Sequence, residues 1–301
     1  MDRFTIDQLS HLAGLPTQTI IYWKKKYNAY GDLNEKFNTE TRYSTTDLQR
    51  ILNISTLFHL NKKYPLDSIC AWNDEQLATK VEIELLTNFL KNDDIINQLI
   101  ASCLTYNESR FRLIIDATMM KLCNKEFYEK ILYPFLKRIY STFSDKNEKA
   151  AQFYYMKYMI KQKFYSLIDK NSNYVTKQSS ILLFLPENEF NEIGLLFCNL
   201  ILLENGYKTY YLGANQKNKS IGQAINDIKP SYLVTYIPTN ENIKSFKETI
   251  KNINDFDKQT ILFGSKTIVK QFKYIPCIKA QDLNEFYECL NEFEIKKREL
   301  I

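Results

Sequence analysis

The hydrophobic and polar positions divide the chain into three segments of different texture. Residues 1–75 contain short amphipathic stretches separated by turn residues and one polar, hairpin-like stretch. Residues 77–170 repeat apolar positions at helical spacing, which favours a four-helix bundle. Residues 178–301 alternate short apolar runs with amphipathic stretches. The pattern predicts an α+β multidomain protein with one domain in each segment.

The first 27 residues have the pattern of two short helices joined by a tight turn. Thr5 and Gln8 are spaced as a capping box, in which each side chain satisfies a backbone amide near the helix start. Gly14 can adopt the left-handed conformation that ends a helix, and Thr17 is placed to cap the next one. Two helices joined in this way form a helix-turn-helix.

The second helix carries polar and basic side chains on the side expected to face solvent, while Ile20 and Trp23 are spaced to face inward. Hydroxyl, amide and basic groups suit base edges and phosphates in the major groove of DNA. The alternative to DNA binding is a small helical domain on which the three consecutive lysines, 24–26, are simply exposed to solvent. The candidate DNA-binding residues are Thr17, Gln18, Thr19, Tyr22, Lys24, Lys25, Lys26, Arg42 and Tyr43.

Further local signals predict where the next elements begin. Residues 28–41 are polar and hairpin-like, and residues 44–47 repeat the capping-box spacing. Pro65 stands at the start of another predicted helix. In the helical segment, Asp93 and Asn107 are placed as caps.

The last segment has the alternation of a doubly wound α/β domain. Helices are expected between the strands, the first from about residue 190 to 204 and the last from 283 to 297. Repeated strand–helix units favour an open parallel five-stranded sheet with helices on both faces. A ligand crevice is then expected at the carboxyl ends of the strands, near residues 186–191, 213–215 and 264–265. The predicted strands are 181–185, 208–212, 232–236, 259–263 and 274–277.

Composition narrows the functional class. The net charge of +5 is mildly basic, and 45% of the residues are hydrophobic, so a large core can be buried. Six scattered cysteines and only two histidines argue against a metal site and favour free thiols in a reducing compartment. The apolar stretch 193–203 is too short to span a bilayer, and the N-terminus enters a capped helix rather than a signal peptide. We expect a soluble, cytoplasmic protein without membrane contact.

The order of motifs in residues 3–72 resembles the MerR family of transcription regulators. One position departs from the family, which usually carries arginine before its Tyr/Trp pair, whereas Ile21 stands here. The resemblance implies a winged helix that binds double-stranded DNA, usually as a dimer. The matching stretches are Thr5 to Gly14, the recognition-helix pattern Pro16 to Lys24, a wing, Arg42 to Leu48, and Pro65 to Ile69.

The other two segments resemble light-responsive repressors of the CarH and LitR type, in which a helical bundle and a cobalamin-binding domain follow the winged helix. The bundle match is the stretch 133–139. In the last domain the family has E/D-x-H-x-x-G after the first strand, Leu-Gly-Ala after the second and Gly-Gly after the fourth. The corresponding positions here are Glu189, Asn191 and Gly194, then Gly213, then Gly264 and Ser265.

The residues that the resemblance assigns to the cofactor are replaced. Asn191 stands where the family has the histidine that ligates cobalt, and an amide is a much poorer ligand. The family's tryptophan and its Glu-His pair fall near Phe143 and at Phe153-Tyr154, whose rings we expect to fill the space of the adenosyl group. We therefore expect no bound cofactor, with cobalamin as the alternative.

Together these observations predict a non-enzymatic DNA-binding regulator. The C-terminal two-thirds is expected to serve oligomerisation, as a homodimer or homotetramer, or to sense a signal that the residues do not identify. Three alternatives stay open: a repressor that retains cobalamin without the histidine, a cobalamin-dependent transfer enzyme, and an adaptor that acts on a partner regulator.

Overall fold

The computed structural model describes residues 4–31, 41–60, 63–87, 90–143, 151–238, 242–253, 259–275 and 277–298, with the side chains of 141–143 and 293–298 left aside. The chain forms two compact units, residues 1–158 and 159–301. The division into three domains, with boundaries after residues 75 and 170, stays a prediction. Within the described ranges, no helix is long and apolar enough to cross a membrane.

The first unit is helical. A π-helical turn, Tyr128–Leu132, joins its eighth and ninth helices, and the tenth helix continues into the second unit. The helices are α1 (Ile6–Ala13), α2 (Thr17–Tyr27), α3 (Thr45–Phe58), α4 (Leu66–Ala71), α5 (Asp74–Thr87), α6 (Asn92–Leu104), α7 (Glu108–Met119), α8 (Asn124–Phe127), α9 (Tyr133–Phe143) and α10 (Ala151–Asn171).

The predicted start and stop signals of α1 and α3 are confirmed. Thr5 and Gln8 form the capping box of α1, and residues 44–47 form that of α3. Gly14 ends α1 in the left-handed conformation, with φ of 63°. Because the guanidinium of Arg138 on α9 lies against Gly14, a side chain at this position would also collide with it.

Two predicted caps are wrong and one is confirmed. Thr17 is already the first helical residue of α2, so Pro16 takes the capping position without a side-chain bond. Helix α6 begins at Asn92, which places Asp93 inside the first turn, where a carboxylate complements the helix dipole. Asn107 caps α7 by accepting from the amide of Arg110 at 3.0 Å.

The contact between α3 and α6 includes hydrogen bonds between polar side chains. Gln98 on α6 donates to Thr56 on α3 at 2.9 Å, and His59 at the end of α3 pairs with Asp94 at 2.7 Å. Burial raises the pKa of the Asp94 carboxyl above its ordinary value. Arg110 satisfies the amide oxygen of Gln98 at 2.6 Å. The helix-turn-helix is thus joined to the following helices through a buried hydrogen-bond network.

The second unit contains one five-stranded sheet in the order β2-β1-β3-β4-β5, and all the pairings are parallel. The predicted fold of this segment is confirmed. Its strands are β1 (Ser180–Pro186), β2 (Lys208–Gln216), β3 (Tyr232–Ile237), β4 (Thr260–Gly264) and β5 (Ile278–Ala280). Its helices after α10 are α11 (Ile193–Glu204), α12 (Asn218–Ile228), α13 (Ile243–Asn252), α14 (Lys266–Val269) and α15 (Leu283–Arg298).

Helices cover both faces of this sheet. Helix α11 is buried along almost its whole length and packs on β1, β2 and β3. Ile221 and Ile225 of α12 share an apolar cluster with Leu182 and Leu233 on the opposite face. Parallel strands covered on both faces are apolar along their length, as the uninterrupted burial of β4 illustrates.

Three predicted elements in this unit differ from the structure by more than one residue. The second strand runs to Gln216 instead of ending at 212, because its pairing with β1 continues to that residue, so Gly213 lies within β2 and not after it. The fifth strand lies at 278–280 instead of 274–277, because backbone hydrogen bonds of Ile275 and Cys277 form turns there. Helix α11 begins at Ile193 instead of Phe190, since the preceding residues are held in a loop by the carboxylate of Glu189.

Candidate functional site

Helix α2 presents a polar face above an apolar one. Ile20 and Trp23 are buried, and the Trp23 ring meets the edge of Phe58 on α3 with centroids 5.8 Å apart. Gln18, Tyr22, Lys25 and Lys26 are exposed, and Thr17 and Thr19 are half-buried. The structure thus places six of the seven candidates on this helix within reach of solvent.

Two of the exposed residues interact with each other. The ammonium of Lys26 donates to the hydroxyl of Tyr22 at 2.7 Å and lies over the rings of Tyr22 and Tyr27. This hydrogen bond raises the pKa of Lys26 and lowers that of Tyr22 from their ordinary values. Lys26 therefore keeps its positive charge on the exposed face at neutral pH.

The expectation that Lys24 is exposed is wrong. It is 9% exposed, and its ammonium lies 5.1 Å from the ring centre of Tyr43 and 5.8 Å from that of Tyr30. Tyr43 is also buried, so its ring forms part of the wall around Lys24. Lys24 lies one helical turn after the buried Ile20, and the chain that follows α2 folds back over it, so that Tyr30 and Tyr43 cover the side chain.

The predicted wing lies largely in residues 32–40, which are outside the described residues. Its two flanks are well defined. The amide of Gly31 donates to Asp47 at 2.8 Å, and Tyr43 exchanges two backbone hydrogen bonds with Phe4. Arg42 is exposed next to this anchored backbone.

The position of Arg42 leads to the first prediction. Arg42→Ala should weaken DNA binding because a guanidinium can grip a phosphate bidentately. It should leave the melting temperature nearly unchanged, since the side chain is exposed. Fluorescence anisotropy and thermal denaturation measure the two effects. A clear loss of stability at unchanged affinity would instead make Arg42 a structural residue.

Sequence reasoning missed the anchoring role of Arg50. Its guanidinium donates to the carbonyls of Ala29, Cys70 and Trp72 and pairs with Asp74 at 2.7 Å. These bonds join α3 to the segment after α2 and to the ends of α4 and α5. An arginine on a half-buried helix face is the only sequence signal, and it does not indicate which carbonyls it reaches.

In the second unit, the loop after β1 is held by hydrogen bonds within the loop and to residues near β2 and β3. Glu189 is buried and accepts from the amide of Asn191 at 2.8 Å and from the side chain of Asn242 at 3.0 Å. Asn215 accepts from the amide of Asn188 at 2.9 Å. The loops after β1 and β3 and the end of β2 therefore meet at the predicted crevice and hydrogen-bond to one another.

Gly194 and Gly264, which match glycines of the family, are both packed closely against side chains of β3. A Cβ placed on Gly194 would lie 2.2 Å from the ring of Tyr236, which comes from the end of β3. At Gly264 the same atom would lie 2.6 Å from the side chain of Ile237. Gly213 has a φ of 80°, and Ser265 contacts Thr267 at 3.2 Å. Side chains of β3 thus cover Gly194 and Gly264, which a bulky ligand would have to approach.

A cluster that sequence reasoning missed lies around Glu192. The carboxylate accepts from the hydroxyl of Tyr165 at 2.9 Å and from the ammonium of Lys161 at 2.8 Å. Burial and this hydrogen bond raise the pKa of Tyr165 to about 12, and burial and the charge of Glu192 raise that of Tyr211. The residues come from α10, the start of α11 and β2, which are far apart in sequence.

The remaining predicted positions lie on α9 and α10. Phe153 is buried against the ring of Tyr140, with centroids 5.0 Å apart. Tyr154 is 56% exposed, so the expectation that its ring fills an interior space is wrong. Successive residues of a helix point about 100° apart, and the Tyr154 ring meets Phe153 only at the edge of the buried region, with centroids 5.8 Å apart. The side chain of Phe143 lies outside the described ones.

A protein-family model matches the N-terminal part of the chain. Residues 4–70 match the family described as MerR HTH family regulatory protein. The search of curated proteins found no match.

Solved structures are similar to a larger part of the chain. The monomethylamine corrinoid protein of Methanosarcina barkeri covers 68% of this chain and 95% of its own, with a TM-score of 0.51 and 14% identity. A cobalamin-binding protein of Desulfitobacterium hafniense covers 68% and 97%, with a TM-score of 0.32 and 13% identity. A methanol:cobalamin methyltransferase complex of Methanosarcina barkeri covers 75% and 92%, with a TM-score of 0.31 and 13% identity.

At these identities the first similarity establishes the fold alone, and it agrees with the parallel sheet described above. The N-terminal match covers both capping boxes, the left-handed Gly14 and the exposed face of α2. The chain therefore carries a MerR-type helix-turn-helix domain at its N-terminus, and the fold of its C-terminal part is similar to that of the monomethylamine corrinoid protein.

Proposed function

We propose that the protein is a cytoplasmic, non-enzymatic transcription regulator that binds double-stranded DNA through α2 and the wing. The observation that carries the proposal is the exposed face of α2, where Gln18, Tyr22, Lys25 and Lys26 lie above a buried apolar face. The amide can read base edges and the two lysines can neutralise phosphates. Thr17, Thr19 and Arg42 complete the proposed surface.

The helices after the DNA-binding head are proposed to transmit a signal or to mediate oligomerisation. The hydrogen bonds of α3 with α6 and the close approach of Arg138 to Gly14 support this proposal, because they couple the N-terminal helices to residues that follow them. A homodimer or homotetramer would recognise a near-palindromic site, since operator symmetry mirrors protein symmetry. We propose that residues 1–75, 77–170 and 178–301 form three domains: the winged helix, the helical bundle and the α/β domain.

Selection of bound genomic fragments tests this function. Purified protein is mixed with sheared genomic DNA at moderate salt, and the retained fragments are sequenced. We expect enrichment of a small set of fragments that share a near-palindromic motif. Recovery in proportion to abundance would contradict the proposal and favour the adaptor that acts on a partner regulator.

We further propose that this regulator works without cobalamin. Residues 159–301 contain no histidine that could ligate the cobalt of a corrin. The amide of Asn191 and the covered faces of Gly194 and Gly264 also disfavour a corrin there. None of these residues supplies the lower ligand that the family uses.

The second prediction concerns this cofactor. Wild type and Asn191→His are titrated with adenosylcobalamin in the dark, and the visible spectrum and DNA affinity are followed before and after illumination. We expect no spectral shift in either protein, because the substitution supplies an imidazole but leaves Tyr236 over Gly194. Tight, light-reversible binding by the wild type would support the repressor that retains cobalamin. Binding by the variant alone would mean that Asn191 is the only barrier.

A further inference from the structure

A buried lysine lies between the two ends of the wing. The side chain of Lys24 leaves α2, and its ammonium lies over the rings of Tyr30 and Tyr43. Among the described residues, this ammonium donates no hydrogen bond. Ring faces attract cations, so the two tyrosines are its attractive partners in this part of the chain.

The residues around the ammonium are those that begin and end the wing. Tyr30 is fixed by its hydroxyl, which donates to the carbonyl of Ile20 at 3.0 Å. Gly31 has a φ of 74°, and a Cβ built on it would lie 3.0 Å from the Lys24 ammonium. Tyr43 follows the wing and is fixed by its two backbone bonds to Phe4.

We propose that Lys24 is a positioning residue that holds Tyr30 and Tyr43 together and so fixes the backbone on either side of residues 32–40. It would then raise DNA affinity without contacting DNA, unlike its exposed neighbours Lys25 and Lys26. The effect on affinity rests on the proposed DNA-binding function. The effect on the flanks of the wing does not, because it is a property of the free protein.

The test compares Lys24→Met, which keeps an unbranched side chain and removes the charge, with Lys25→Met as the matched control. We expect Lys24→Met to bind DNA about tenfold more weakly, the order of a buried cation–π contact. Its plot of log affinity against log salt should keep the wild-type slope, because no phosphate contact is lost. Lys25→Met should lower that slope by about 0.9. Lys24→Arg should restore affinity, since a guanidinium also binds ring faces.

A second measurement uses the free protein. In Lys24→Met, the amides of residues 28–31 and 41–44 should exchange with deuterium faster than in the wild type, while those of α1 exchange at the wild-type rate. Tyr43→Leu removes one ring face and should give the same pattern if Lys24→Met does not fold. Exchange that is unchanged in both variants overturns the inference even if DNA binding fails altogether. A salt slope lowered as much as in Lys25→Met would also overturn it, by making Lys24 a phosphate contact.

Discussion

Trp23→Ala is expected to lower the free energy of unfolding of the first unit by about 3–5 kcal/mol. The ring is 1% exposed and joins the recognition helix to α3 through its contact with Phe58. Removing it leaves a cavity between the two helices, and a close-packed interior collapses only in part around such a cavity. Urea denaturation followed by far-UV circular dichroism measures the change.

The matched control for this prediction is Met120→Ala, because the Met120 side chain is 87% exposed. Its unfolding free energy should differ from the wild type by no more than about 0.5 kcal/mol. If Trp23→Ala were as stable as this control, α2 would not be packed on α3 as the structure has it.

The double replacement of Lys25 and Lys26 with alanine is expected to weaken binding to every DNA sequence, by roughly 30-fold near 0.15 M salt. Each lysine that neutralises a phosphate releases counterions, so the slope of log affinity against log salt should fall by about 1.8. Titrations of a selected site and of a random duplex, each at several salt concentrations, measure both effects.

Gln18→Ala provides the contrasting variant on the same face. Loss of a base contact should cost about 1–3 kcal/mol on the selected site and leave binding to a random duplex and the salt slope unchanged. If the lysine double variant instead lost affinity only for the selected site, the two lysines would be base contacts and their assignment to phosphates would be wrong.

Elements whose signals are local could be predicted from the sequence. Both capping boxes and the left-handed Gly14 depend on residues within four positions of one another, and the structure has them as predicted. Strands β1 and β4 are runs of mostly apolar, buried residues, which is the pattern of parallel strands covered on both faces.

The errors arose where distant residues decide the outcome. The run of three lysines predicts that Lys24 is exposed, but its burial depends on Tyr30 and Tyr43, which come after the helix. The start of α11 depends on the carboxylate of Glu189 and on Asn242, more than 50 residues later in the chain.

The candidate site in the second unit also depends on long-range contacts. Motif comparison identified Gly194 as a family position, but the ring that covers it belongs to β3, which is its neighbour only because of the strand order. The cluster around Glu192 combines α10, α11 and β2, and no spacing in the sequence connects them.

The central claim is that this chain reads DNA sequence through its helix-turn-helix. The most direct measurement is the affinity of the wild-type protein for a fragment recovered by genomic selection, compared with a shuffled fragment of the same length and composition at about 0.15 M salt. We expect the protein to bind the selected fragment at least about 10³-fold more tightly than the shuffled one. Equal affinity for the two fragments would contradict this claim.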